Sequence, residues 1–191
     1  MTRMQLLSHP VTPMPQTNSL CVSLSLAGGG VLQAVFDCRC DPGVLRLPDA
    51  RPAQAADELW RHTCCEVFAG VAGDPAYLEF NCSPSGQWAR YAFSDYRVRD
   101  LSQTNSAMRA PRIDFAVDAK GWTLAARLDE AALSGVDAGR IELGVAVVLE
   151  AADGGLSYWA LRHAAVQPDF HRRESFVLRL SDLVQGGKSQ I

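Results

Sequence analysis

No apolar stretch in this sequence approaches the roughly 20 residues needed to cross a bilayer, so no membrane-spanning helix is expected. Charge of one sign is also scarce. Lys and Arg number 18 against 21 Asp and Glu, a net charge of −3. Phosphate binding leaves a basic footprint, so a nucleic-acid partner is not expected either. Enzyme signatures are missing: there is no G-x-S-x-G, no P-loop, no G-x-G-x-x-G opening a helix and no H-E-x-x-H. Gly28-Gly29-Gly30 lies between two strand-like runs, where phosphate cradles are not built, and reads as a hairpin turn. Long amphipathic helical periodicity is absent as well, which argues against a βαβ fold. Residues 1–16 carry Arg3 but no continuous apolar block before a small-residue cleavage site. With Pro10, Pro13 and Pro15 they read as a flexible arm, not a secretory signal. The expectation is a cytoplasmic protein.

What the chain does have is alternation. Its 191 residues, 48% of them hydrophobic, suffice for one domain with a full core. Residues 20–26 place Leu20, Val22, Leu24 and Leu26 on one face and Cys21, Ser23 and Ser25 on the other. The clearest hairpin is 113–128, where Asp118-Ala119-Lys120-Gly121 separates Ile113, Phe115 and Val117 from Trp122, Leu124, Ala126 and Leu128. Residues 141–149 read as a central strand apolar on both faces. About ten short strands between turn signals predict an all-β, immunoglobulin-like or jelly-roll β-sandwich. The expected organisation is a flexible arm over 1–19, one sandwich domain over 20–182 and a polar tail over 183–191. The six cysteines, Cys21, Cys38, Cys40, Cys64, Cys65 and Cys82, fall mostly in strand-like runs and are expected to be reduced, buried thiols.

Three constellations bear on function. Cys38-x-Cys40 and Cys64-Cys65 lack the spacing of structural zinc ligands, so no metal site is expected. A haem held between Met108 and either His163 or His171 is an alternative, since Met/His ligation suits electron transfer. The third set is aromatic and polar. Trp60 precedes a strand carrying Glu66. Trp88 and Arg90 alternate with Ala89, Tyr91 and Phe93, and are expected to face outward while the latter face the core. Trp159 lies in a late strand. Indoles stack on the C–H faces of sugar rings, and a carboxylate and a guanidinium read hydroxyl edges, so these five residues are candidate ligand-binding residues.

Leu59-Trp60-x-x-Thr63-Cys64-x-Glu66-x-Phe68, Tyr77-x-Glu79-Phe80-Asn81-x-Ser83-Pro84-x-Gly86-x-Trp88 and Tyr91-x-Phe93-x-x-Tyr96-Arg97 resemble the bacterial DOMON-like proteins, which belong with the family-9 carbohydrate-binding modules. The later Ser157-Tyr158-Trp159-Ala160-Leu161 and Pro168-Asp169-Phe170-His171 are similar to that group too. The resemblance implies a sandwich that binds without catalysis, two tryptophans clamping a sugar while a Glu and an Arg read its hydroxyls. Trp60 and Glu66 match the first Trp and the Glu. Arg90 and Trp159 match the Arg and the second Trp by order along the chain. The expected function is therefore a non-catalytic module for a small carbohydrate, with a haem-binding module or a protein-interaction sandwich as alternatives.

Overall fold

The computed structural model describes residues 2–14, 16–102, 109–129 and 136–185. Two antiparallel sheets pack face to face as the alternating runs predict. The first has the order β1 (Thr2–Gln5), β3 (Thr17–Leu26), β4 (Leu32–Cys40), β10 (Gly121–Leu128) and β9 (Arg112–Asp118). The second runs β2 (Leu7–Ser8), β12 (Leu156–Ala160), β11 (Ile141–Glu150), β5 (Cys64–Val71), β6 (Tyr77–Cys82), β7 (Trp88–Asp95) and β8 (Val98–Arg99), with β13 (Leu178–Arg179) also pairing β11. A short helix, α1 (Leu180–Gln185), follows.

The inter-sheet core joins Leu20, Val22 and Leu24 of β3 and Trp122, Leu124 and Ala126 of β10 to Cys65 and Val67 of β5 and Val145 and Val147 of β11. These are the residues that alternation assigns to one face. The expected hairpin is present: Asp118 pairs with Gly121, and Trp122 with Val117. Gly121 sits at φ +143°, and a Cβ there would lie 1.8 Å from the Cys38 carbonyl oxygen, so only glycine lets β10 approach β4 so closely. Val117 is nonetheless exposed, because β9 is an edge strand.

Both ends of the chain depart from expectation. The N-terminal segment is paired, not a free arm: β1 zips against β3 and β2 against β12, so residues 2–8 join the two sheets. Leu6, between them, is fully buried. Its alternation was hidden by brevity, since four- and two-residue strands carry almost no periodic signal. At the other end, Leu183 is buried against the core from α1 although it falls in the expected polar tail.

The second sheet is covered on its outer face as well, which is why all of β5 but Val71 is buried. A smaller apolar cluster lies there: Phe68, Tyr77, Ala89, Tyr91, Phe93 and Ala146, with Phe176 packed over them. The loop between β12 and β13 provides the cover. Arg173 pins it, donating to the carbonyls of Val71, Asp74 and Ala76 and to the Glu142 carboxylate at 3.0–3.1 Å. A side chain at Gly70 would collide with that guanidinium at 2.1 Å.

Candidate ligand-binding cleft

A cleft of about 600 Å3 opens on this outer face, between the sheet and the covering loop. Glu66 of β5, Glu79 of β6 and Val148 of β11 line it from the sheet. Trp60, Phe93, Tyr158 and Phe170 add aromatic walls, and Arg97, Arg99, Asp169 and His171 the remaining charged and polar groups.

The two acids are set by register. Glu66 stands across from Asn81 and Glu79 across from Phe68, so on adjacent antiparallel strands they are diagonal neighbours on one face. Both are buried, at 3% and 4% exposure. Glu79 accepts from Asn81 Nδ2 at 2.8 Å, whereas the Glu66 carboxyl accepts no hydrogen bond from any described residue. Burial pushes both acids up, Glu66 well above the usual carboxylate range with Glu79's charge adding to the effect, and Glu79 to about 7.

His171 reaches in from the covering loop. The Arg97 backbone N–H donates to the Tyr77 hydroxyl at 3.1 Å, and that hydroxyl lies 2.8 Å from His171 Nδ1. The other ring nitrogen, Nε2, lies 3.8 Å from Glu79. Burial and then the Arg97 charge push this imidazole down to about 4, so it is neutral at pH 7. Arg97, at φ +56°, bonds Asp169 at 3.0 Å. Burial works to raise the Asp169 carboxyl, but bonds from Tyr96 and Arg97 hold it below the ordinary range. Arg99 lies 3.9 Å from the centre of the Tyr91 ring and 3.5 Å from Asp57, which also accepts from the Tyr91 hydroxyl.

No family model matches the chain, and no curated protein does. Among solved structures it resembles one from Bacteroides uniformis, provisionally described as carbohydrate-binding, with a TM-score of 0.65 over 92% of this chain and 84% of that one. The two share 14% of their residues, so the likeness establishes a common fold.

Of the five binding residues expected from the sequence, the cleft brings together Trp60, which is 41% exposed, and Glu66. Three point elsewhere. Trp88 pairs with Cys82 and Arg90 with Phe80, so both take the inter-sheet side of the sheet, and both are buried. The expected faces of β7 are thus exchanged: Tyr91 and Phe93 turn toward the cleft side. Trp159 belongs to the inter-sheet core, its indole N–H donating to Ser157 Oγ at 2.8 Å, so it forms no clamp with Trp60. Its neighbour Tyr158 occupies the cleft wall instead.

The haem set fares differently. His171 lines the cleft, but Tyr77 engages its Nδ1 and its Nε2 faces Glu79. His163 bonds the Leu7 carbonyl at 2.8 Å and stacks at a tilt on Phe170, and it does not line the cleft. Met108 lies outside the described residues. Among the described residues no group of three or more His, Cys, Asp or Glu is arranged to hold a metal, and no helix is long and apolar enough to cross a membrane.

Glu79, Tyr158, Phe93, Arg97 and Arg99 were missed as site residues. A signal existed for the first: Glu79, like Glu66, is an acid inside an otherwise apolar strand, which is costly unless the site uses it.

Proposed function

We propose that this protein is a non-catalytic binding module for a small carbohydrate, held in the cleft on the outer face of the second sheet. The observation that carries the reading is the buried Glu66 carboxyl, open to the cleft without a hydrogen-bond partner among the described residues, beneath the walls of Trp60 and Tyr158. A buried polar group left unpaired costs free energy that a ligand hydroxyl recovers. Indole and phenol faces suit the C–H faces of a pyranose. The DOMON-like and family-9 resemblance agrees with this, as does the fold shared with a protein described as carbohydrate-binding.

Placement of the acids supports binding over hydrolysis. Glycoside cleavage sets its two carboxyls on either side of the scissile bond. Glu66 and Glu79 project side by side from adjacent strands, and so address one side of a ligand.

Titration of the protein with a panel of mono- and oligosaccharides, followed by intrinsic tryptophan fluorescence and calorimetry, tests the proposal. Trp60→Ala, at a half-exposed position, leaves the fold intact and weakens binding about tenfold, the loss of a stacking contact of about 1.5 kcal/mol. Trp159→Phe leaves binding within a factor of two or so. No response to any sugar at millimolar concentration from folded protein refutes the proposal.

A further inference from the structure

The charge arrangement around the cleft is lopsided. Arg97 is occupied by Asp169 at 3.0 Å, and Arg99 by Asp57 at 3.5 Å and by the Tyr91 ring. Arg172 adds a second cation on Asp169. Among the described residues, neither Glu66 nor Glu79 has a Lys or Arg within ion-pair distance, and His171, 3.8 Å from Glu79, is neutral at pH 7. Two buried carboxyls therefore face an open cleft with no Lys or Arg in direct contact, Arg97 acting on both and Arg99 on Glu79 only from a distance, under aromatic walls whose π faces also attract cations.

The geometry points to a ligand that supplies the missing positive charge: an amino sugar, its free ammonium seated against Glu66 and Glu79 and its ring against Trp60 and Tyr158. This rests on the carbohydrate reading of the same cleft and narrows it. A neutral sugar would satisfy the hydrogen bonds but leave the acids in their protonated form, with no charge to draw the ligand in. An ammonium offers three donors and the charge together.

The inference carries a proton signature. With the cleft empty, the raised acids retain protons near neutrality, and an arriving ammonium displaces them. Binding then releases protons, and affinity rises with pH from 5 to 7. Other groups facing the pair do not titrate in that window. Tyr77 is pushed up to about 12, Tyr158 and Cys64 are raised by burial, His171 sits at about 4, and Asp169 is held low. Against its burial, Arg97 is held further into its charged form by its bonds to Asp169 and Tyr96.

Calorimetry on the full chain at pH 5, 6 and 7 decides the matter, using glucose, galactose and mannose, each as the neutral, 2-amino and N-acetylamino sugar, in two buffers of different ionisation enthalpy. The expected result is at least tenfold tighter binding of one amino sugar than of its neutral and N-acetylated forms, with protons released. Glu66→Gln and Glu79→Gln should erase that preference, and the proton release on the unaltered protein stands even if a variant fails to fold. Equal affinity for the amino and neutral forms, or binding without proton release, overturns the inference and leaves the carbohydrate reading intact. Failure of all nine sugars overturns the inference, and failure of the wider mono- and oligosaccharide panel as well overturns the carbohydrate reading.

Discussion

Glu79→Gln should make the empty protein more stable at pH 8 and leave it unchanged at pH 4.5. Glutamine keeps the shape and still accepts from Asn81 through its carbonyl oxygen, so the 2.8 Å bond survives. What disappears is the charge. Moving this carboxyl from an ordinary 4.5 to about 7 means that the folded state resists its ionisation. The unfolded chain gives up the proton near 4.5 and the folded one near 7, so between these values the folded state binds more protons and stability falls as pH rises. At about 1.4 kcal/mol per unit, the cost is about 3 kcal/mol, complete above pH 7 and absent below 4.5. At 4% exposure little of it is screened by solvent. Urea unfolding followed by tryptophan fluorescence at pH 4.5, 6 and 8 measures it directly. The expected gain grows from nothing to a few kcal/mol across that series. An equal gain at all three pH values, or none at pH 8, would show that the carboxyl is not held against its charge and would remove the electrostatic account of the cleft.

His171 works in the opposite sense. Its imidazole is pushed down to about 4, so its contribution is full above about 6.5 and is lost as pH falls toward 4. His171→Asn should therefore flatten the acid side of a melting-temperature profile, and an unaltered profile counts against its burial. Gly121→Ala should destabilise by about 3 kcal/mol or more, because a Cβ there meets the Cys38 backbone and the backbone sits at positive φ. Thermal unfolding by circular dichroism checks it. All six cysteines are free, and Cys21 alone is not buried. A thiol reagent should thus label at most Cys21 quickly in the native protein and all six in denaturant, and rapid native labelling of several would contradict this packing.

The fold was legible because its strands alternate. Leu20, Val22 and Leu24 face the core as their spacing requires, and the 113–128 hairpin follows from its turn. The cleft was legible only in part, for a reason of parity. β7 is buried on both faces, so alternation of Trp88 and Arg90 with Tyr91 and Phe93 does not say which side meets the other sheet. An outward face was expected for the polar residue, yet Arg90 is buried on the inner side. At β12 the larger ring suggests itself as the binding residue, yet Trp159 fills the core while Tyr158 meets the cleft. A period of two makes such errors complete: a shift of one residue exchanges every side chain. Trp60 and Glu66 escaped it. Trp60 sits on a short 3-10 turn, and Glu66 is an acid whose burial no core would need.

The pairing of β2 with β12 reaches the cleft by a second route. The His9 N–H donates to the Tyr158 carbonyl at 2.7 Å, His163 meets the Leu7 carbonyl, His9 lies 3.2 Å from the Ala165 carbonyl, and Thr12 lines the cleft itself. The start of the chain thus braces both Tyr158 and the loop that carries Phe170 and His171. The β2–β12 pairing itself spans only two residues, and on the proposed function apparent affinity would scale with the fraction of molecules in which this segment is docked. A segment docked in only about one molecule in ten would weaken apparent binding about tenfold with no cleft residue altered. If the cleft binds as proposed, its affinity would therefore be adjustable from residues 2–12.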